Sequence, residues 1–80
     1  MKVINLQYYA QLREQAGMGG EQVATAAASL QELYDELRVR RGFSLAPDAL
    51  KVAVNAQFSA WDRPLRDGDT VVFIPPVAGG

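Results

Sequence analysis

Cysteine and histidine are both missing from this chain of 80 residues. Without thiols there are no disulfide frameworks, thiolate nucleophiles or cysteine-based zinc sites; without imidazole, Ser29, Ser44 and Ser59 have no base to activate them. An excess of charge is missing too. Eight Lys plus Arg face nine Asp plus Glu, a formal net charge of −1, which leaves no electrostatic footprint for nucleic acid or an anionic membrane. No apolar run approaches the roughly 18 residues of a membrane-spanning helix, and no basic, apolar, small-residue succession marks a secretory signal, so a cytoplasmic address is expected. Gly17, Gly19 and Gly20 surround Met18, but the strand-Gly-x-Gly-x-x-Gly-helix order and the Walker lysine are lacking, which argues against a phosphate loop. A chain this short buries only about 60 to 65% of its unfolded surface and cannot enclose a deep cleft alone, so chemistry here needs a partner to complete it.

What the sequence does have is a distinctive end, Phe73-Ile74-Pro75-Pro76-Val77-Ala78-Gly79-Gly80. The prolines hold φ at about −65° and lack N–H donors, so ladder pairing must lapse while the chain stays extended. Gly79 and Gly80 have no Cβ, which lets bare backbone thread a narrow channel and present a terminal carboxylate as the reactive group. The expected division is a folded domain over residues 1–74 and an extended tail over 75–80.

Upstream, Lys2 to Tyr9 alternates, with Ile4, Leu6 and Tyr8 on one face and Tyr9 on the other, the pattern of a strand. Ala10 to Ala16 offers two turns of helix formers ending at Gly17, and Glu21 to Thr25 reads as a second strand. Ser29-Leu30-Gln31-Glu32 has capping-box spacing, and Leu30, Leu33, Tyr34 and Leu37 form one apolar stripe, with Glu32, Asp35, Glu36 and Arg38 expected to stay in water. Arg38, Arg40 and Arg41 in the last turn suit the negative end of the helix dipole. Phe43 to Leu50 reads as a connection that tucks Phe43 or Leu45 under the core.

Lys51 to Asn55 is a strand with Val52 and Val54 inward, and Asn55 suits a tight turn into Gln57-Phe58. Asp67-Gly68-Asp69 reads as a turn before the strand Thr70 to Ile74, rather than as a metal or acid-base site. If Val71 and Phe73 fill the core, Val72 and Ile74 point out beside the tail. This order of elements implies an α+β fold, a mixed sheet of four to five strands covering one main helix with a short second helix. The two strongly apolar end strands sit side by side in parallel, the arrangement of a β-grasp.

Tyr8-Tyr9-Ala10-Gln11-Leu12-Arg13-Glu14, Ala53-Val54-Asn55, Pro64-Leu65-Arg66-Asp67-Gly68-Asp69 and Phe73 to Gly80 together resemble the small sulfur-carrier subunits of molybdopterin synthase, the MoaD family of ubiquitin-like proteins. The resemblance covers essentially the whole chain, and the Pro-Pro-Val-x-Gly-Gly ending is its most specific part. It implies that an E1-like adenylyltransferase activates the Gly80 carboxylate with ATP, and that a sulfur donor protein converts the adenylate to a thiocarboxylate. The large synthase subunit then uses that sulfur on cyclic pyranopterin monophosphate to build the molybdopterin dithiolene and supplies the catalytic side chains. No stably bound cofactor is implied. The positions matching the family's partner-binding face are Tyr9, Phe58 and Ile74, followed by Pro75, Pro76, Val77, Ala78 and Gly79; from the residues alone, Phe58 can equally belong to the core. Two other fates of a Gly-Gly tail stay open: conjugation to lysines as a ubiquitin-like modifier, and sulfur carriage for thiamine synthesis.

Overall fold

In the computed structural model, which describes residues 1–76, the alternation of the first segment becomes β1, Lys2–Tyr8, with Ile4, Leu6 and Tyr8 buried. A short helix α1, Ala10–Ala16, buries Leu12 and stops at Gly17, whose φ of 74° lets its N–H reach the Arg13 carbonyl at 3.0 Å. β2, Gly20–Thr25, begins one residue earlier than its apolar pattern announces. α2, Leu30–Arg41, follows, then a single 3-10 turn at Pro47–Ala49, β3 at Lys51–Val54, β4 at Gln57–Ser59 and β5 at Thr70–Ile74.

The sheet order is β2-β1-β5-β3-β4. β1 and β5 run parallel, and the other pairs are antiparallel. Five strands wrap α2, the β-grasp architecture.

The stripe on α2 packs as its spacing requires. Leu30, Leu33, Tyr34 and Leu37 are fully buried, facing Val71 and Phe73 of β5 and the inward residues of β1 and β3. Each such leucine stabilises the fold by about 1.5–3 kcal/mol through burial. Tyr34 is the hub of an aromatic group, with ring centroids 5.0 Å from Phe73, 5.7 Å from Trp61 and 6.0 Å from Phe43. Its hydroxyl donates to the Leu45 carbonyl at 2.8 Å, so a large side chain is buried with its polar end satisfied. Phe43, not Leu45, is the connection's buried anchor.

At the start of α2, Ser29 Oγ accepts from the Glu32 N–H at 3.3 Å, the cap its spacing predicts, while the Glu32 carboxylate reaches one residue further back than a capping box requires and accepts from the Ala28 N–H at 2.7 Å.

Two polar residues behave differently from their sequence expectation. Glu36 is half-buried rather than wet, accepting from Thr25 Oγ1 at 2.6 Å and so tying α2 to the end of β2. Arg41 is held by an ion pair with Glu21 and is not merely a dipole partner: its Nε donates to Glu21 at 2.8 Å, and the Tyr8 hydroxyl donates to the same carboxylate at 2.6 Å. Burial pushes the Glu21 carboxyl up, but the hydrogen bonds from Arg41 and Tyr8 and the charge of Arg41 outweigh it and hold Glu21 below its ordinary range. Burial first, and then the bond to Glu21 and its charge, push the Tyr8 hydroxyl far above the usual tyrosine value.

Candidate functional site

The tail leaves from the middle of the sheet. Because β5 lies between β1 and β3, its last residue, Ile74, is flanked on one side by the β1–α1 junction and on the other by Lys51, its partner in the antiparallel register. Pro75 and Pro76 then end the pairing on both sides. Val77, Ala78, Gly79 and Gly80, expected to carry the extended tail and its reactive end, lie outside the described residues.

The launch of β5 is built from the Asp67-Gly68-Asp69 turn, where Gly68 adopts a φ of 86°. Asp67 Oδ1 accepts from the Val3 N–H, pinning the turn to β1. Asp69 is buried and accepts from the Arg66 N–H at 2.9 Å, from Asn55 Nδ2 at 3.0 Å and from Arg63 Nη1 at 3.1 Å. Burial raises its carboxyl pKa, yet those three hydrogen bonds and the charge of Arg63 prevail and hold it below the usual value. The aspartates therefore serve the turn, and among the described residues no cluster of His, Cys, Asp or Glu is placed to hold a metal ion.

The sheet face turned away from α2 carries the apolar residues near the tail. Strand pairing lines up Phe58, Ala53 and Val72 across β4, β3 and β5, with Gln7 of β1 completing the row. Phe58 is 74% exposed and Tyr9 is 51% exposed, so Phe58 belongs to the open face and not to the core. Ile74 is half-buried on the same face.

Both aromatics stand beside left-handed backbone that glycine would usually supply. Tyr9 precedes Ala10 at φ 49°, and Phe58 follows the turn Asn55-Ala56 at φ 52° and 70°. Asn55 was the expected turn residue; Ala56 was not, because alanine gives no local signal for that conformation.

Two grooves flank the tail root. One, of about 440 Å³, is lined by Asp48, Leu50, Lys51, Ile74, Pro75 and Pro76. The other, of about 830 Å³, lies against α1 and is lined by Tyr9, Ala10, Gln11, Glu14, Ile74 and the two prolines. The structure thus gathers Tyr9, Ile74, Pro75 and Pro76 around one groove. Phe58 stands two strands away, sharing a smaller hollow with Lys51 and Trp61.

The α1 side of the site was missed by periodicity alone. Gln11 and Gln15 lie one helical turn apart and both donate to Ser44 Oγ, at 3.0 and 2.8 Å, fixing α1 against the loop after α2. Their i, i+4 spacing was the available signal. Such surfaces suit protein docking and not enclosure of a small molecule, because neither groove is walled off from solvent.

The chain matches known proteins over nearly its whole length. Residues 6–80 match the ThiS family. The molybdopterin synthase sulfur carrier subunit of Escherichia coli (strain K12) is 35% identical over 81 residues, covering 98% of this chain and 100% of its own length. Among solved structures, a putative molybdopterin converting factor, subunit 1, from Pyrococcus furiosus superposes with a TM-score of 0.78 at 28% identity, covering 96% of this chain and 100% of that one. A chain from the protein–protein complex of subunits 1 and 2 of the molybdopterin-converting factor from Helicobacter pylori 26695 superposes with a TM-score of 0.68 at 23% identity over 98% of this chain and 99% of that one. Small archaeal modifier protein 1 of Haloferax volcanii reaches 0.80 at 20% identity over 96% and 100%. The last two similarities establish the fold alone. Matched by the family over nearly its whole length and by a full-length relative, the chain belongs to the ThiS family.

Proposed function

We propose that the chain is the sulfur-carrier subunit of a molybdopterin synthase. The observation that carries this reading is the Escherichia coli relative, a protein of that name aligned over its entire length and over 98% of this chain. The geometry agrees with it: the central strand β5 passes directly into Pro75-Pro76, with open grooves on both sides.

In this reading an E1-like adenylyltransferase uses ATP to activate the Gly80 carboxylate. A carboxylate is a poor electrophile until one oxygen becomes part of a good leaving group, and AMP is such a group. Sulfide-level sulfur delivered by a donor protein attacks the acyl carbon, AMP leaves with the electron pair of the broken C–O bond, and a thiocarboxylate remains, whose sulfur is nucleophilic at neutral pH. The large synthase subunit receives the tail and supplies the catalytic side chains, consistent with the absence of histidine and cysteine here. Tyr9, Phe58 and Ile74 form the docking surface, and Pro75 to Gly79 form the stalk that enters the partner. The thiamine-type carriers share the activation chemistry, and the Pro-Pro-Val approach to the tail favours the molybdopterin assignment.

The test is the mass of the C-terminal fragment from protein isolated from its own cells. One oxygen replaced by sulfur at Gly80 supports the reading. Localisation matters because oxidation of Met1 or Met18 adds nearly the same mass. Gly80 found joined to lysines of other proteins points instead to a modifier. A tail that stays unmodified when the activating enzyme, ATP and a sulfur source are present overturns both.

A further inference from the structure

Strand parity leaves the sheet face turned away from α2 almost without charge. Among the described strands, the outward positions of β1, β2, β4 and β5 carry no charged side chain, and on β3 only Lys51 is charged. The amides on this face are engaged locally. Gln22 Nε2 donates to Asn5 Oδ1 at 2.8 Å, and the Tyr9 hydroxyl donates to Gln7 Oε1 at 3.3 Å. Lys51 is thus a single ion on a neutral surface.

Register puts that ion between the two parts of the docking surface. Lys51 lies directly opposite Ile74 in the β3–β5 ladder, and it is two residues along β3 from Ala53, the partner of Phe58. Directly opposed residues have Cβ atoms about 4.5–5.5 Å apart and diagonal neighbours lie about 7–8 Å apart, so Ile74 and Phe58 are both within reach of its stem. Lys51 accordingly lines both the groove beside Pro75 and Pro76 and the hollow that holds Phe58. It is exposed, and although Asp48 lines the same groove, Lys51 makes no ion pair among the described residues.

A partner that covers both Phe58 and Ile74 must also cover Lys51. Burying an unpaired ammonium is strongly unfavourable, whereas a carboxylate set against it makes a charge-assisted hydrogen bond that offsets the lost hydration. We infer that Lys51 is the specificity-determining charge of the docking surface, and that the large subunit presents an aspartate or glutamate to it. This rests on the reading in which the open face docks that subunit.

The aromatic and aliphatic side chains supply the affinity, and Lys51 decides which apolar surfaces are refused. A neutral or basic surface of the same shape leaves the ammonium dry and unpaired and is rejected, the way charge keeps wrong partners off an apolar interface. The charge also has a direction. Across Pro75 and Pro76 from Lys51, the α1 groove carries the exposed carboxylate of Glu14. A partner spanning both grooves meets a cation on one side of the tail root and an anion on the other, which fixes the side on which its own carboxylate must sit.

The experiment titrates the full chain against the large subunit by calorimetry at low and at physiological salt, with thermal melts to verify that each variant is folded. Lys51→Met keeps an apolar stem and drops the charge; it should bind about tenfold weaker and lose most of the salt dependence of the wild type. Lys51→Glu should bind about a hundredfold weaker, because two carboxylates then meet. Zero-length carbodiimide coupling of the wild-type complex should join the Lys51 amine to an aspartate or glutamate of the large subunit, located by peptide mapping. Lys51→Met binding as tightly as the wild type, or coupling that spares Lys51, overturns the proposal. Phe58→Ala separates this result from the reading beneath it. If Phe58→Ala weakens binding and Lys51→Met does not, the docking surface stands and only the role of Lys51 falls; if the wild type itself does not bind, both fall.

Discussion

Asn55 and Asp69 are joined by a hydrogen bond from Nδ2 to Oδ1 at 3.0 Å, which fastens the β3–β4 turn to the loop that launches β5. Asn55 also exchanges contacts with Thr70: its Oδ1 accepts from the Thr70 N–H at 3.0 Å and its own N–H donates to the Thr70 carbonyl at 2.9 Å. The two residues together set where the tail-bearing strand begins. Asp69→Ala leaves the Arg66 N–H, the Asn55 amide and the Arg63 guanidinium without their shared acceptor. A loss of about 2–4 kcal/mol is expected, read as a Tm lower by about 10–20 °C in a thermal melt.

The same carboxylate gives the fold an acid limit. Asp69 and Glu21 both titrate below their ordinary values of 3.8 and 4.5 in the folded chain. A carboxyl that is more acidic folded than unfolded contributes stability that is complete above its unfolded value and is lost as pH falls through its folded value. Denaturant midpoints should therefore hold steady above about pH 5 and drop below it, and Asp69→Asn should flatten that drop. On the alkaline side the sign reverses. Tyr8 titrates higher when folded, so its contribution is complete below its ordinary value of 10.0 and fades above it. Tyr8→Phe should remove part of the alkaline decline.

Gly20 opens β2 because nothing larger fits there. A Cβ would sit 2.6 Å from the Leu6 carbonyl oxygen, a backbone atom that cannot swing away. Gly20→Ala should cost about 1–3 kcal/mol, and hydrogen exchange should accelerate first in the β1–β2 ladder.

Ala56 offers the opposite change. At φ 70° it occupies the second central position of a tight turn where glycine is preferred. Ala56→Gly should raise stability by about 0.5–1 kcal/mol, shown by a higher denaturant midpoint at unchanged slope.

Much of this was legible beforehand, and the division follows a physical line. The stripe Leu30, Leu33, Tyr34 and Leu37 and the alternation of Ile4, Leu6 and Tyr8 are written in local spacing, and with the shortness of the connections they lead to a sheet with its first and last strands paired. Glu21 and Arg41 are 20 residues apart, and Asn55 and Asp69 are 14 apart; neither pairing leaves a periodic trace. Phe58 was ambiguous for a related reason. A three-residue edge strand is too short to show parity, and only its register against Ala53 puts the ring outside.

That exposure makes a prediction about partners. Phe58→Ala should leave stability within about 0.5 kcal/mol, because the ring is not in the core. If the open face docks the large subunit, the same change should weaken their association about tenfold or more, and Tyr9→Ala should do likewise, both measured by titration calorimetry.

The order of the strands also decides when the protein can fold. The last-synthesised strand, β5, is the middle one, and without it the chain is two unconnected hairpins, β1–β2 and β3–β4, with α2 lacking half its floor. A ribosome that stalls before Thr70 releases a chain with neither a closed core nor a stalk. Folding therefore waits on the C-terminal strand: until synthesis has run through β5 there is no central strand to join the two halves of the sheet or to carry Pro75 and Pro76.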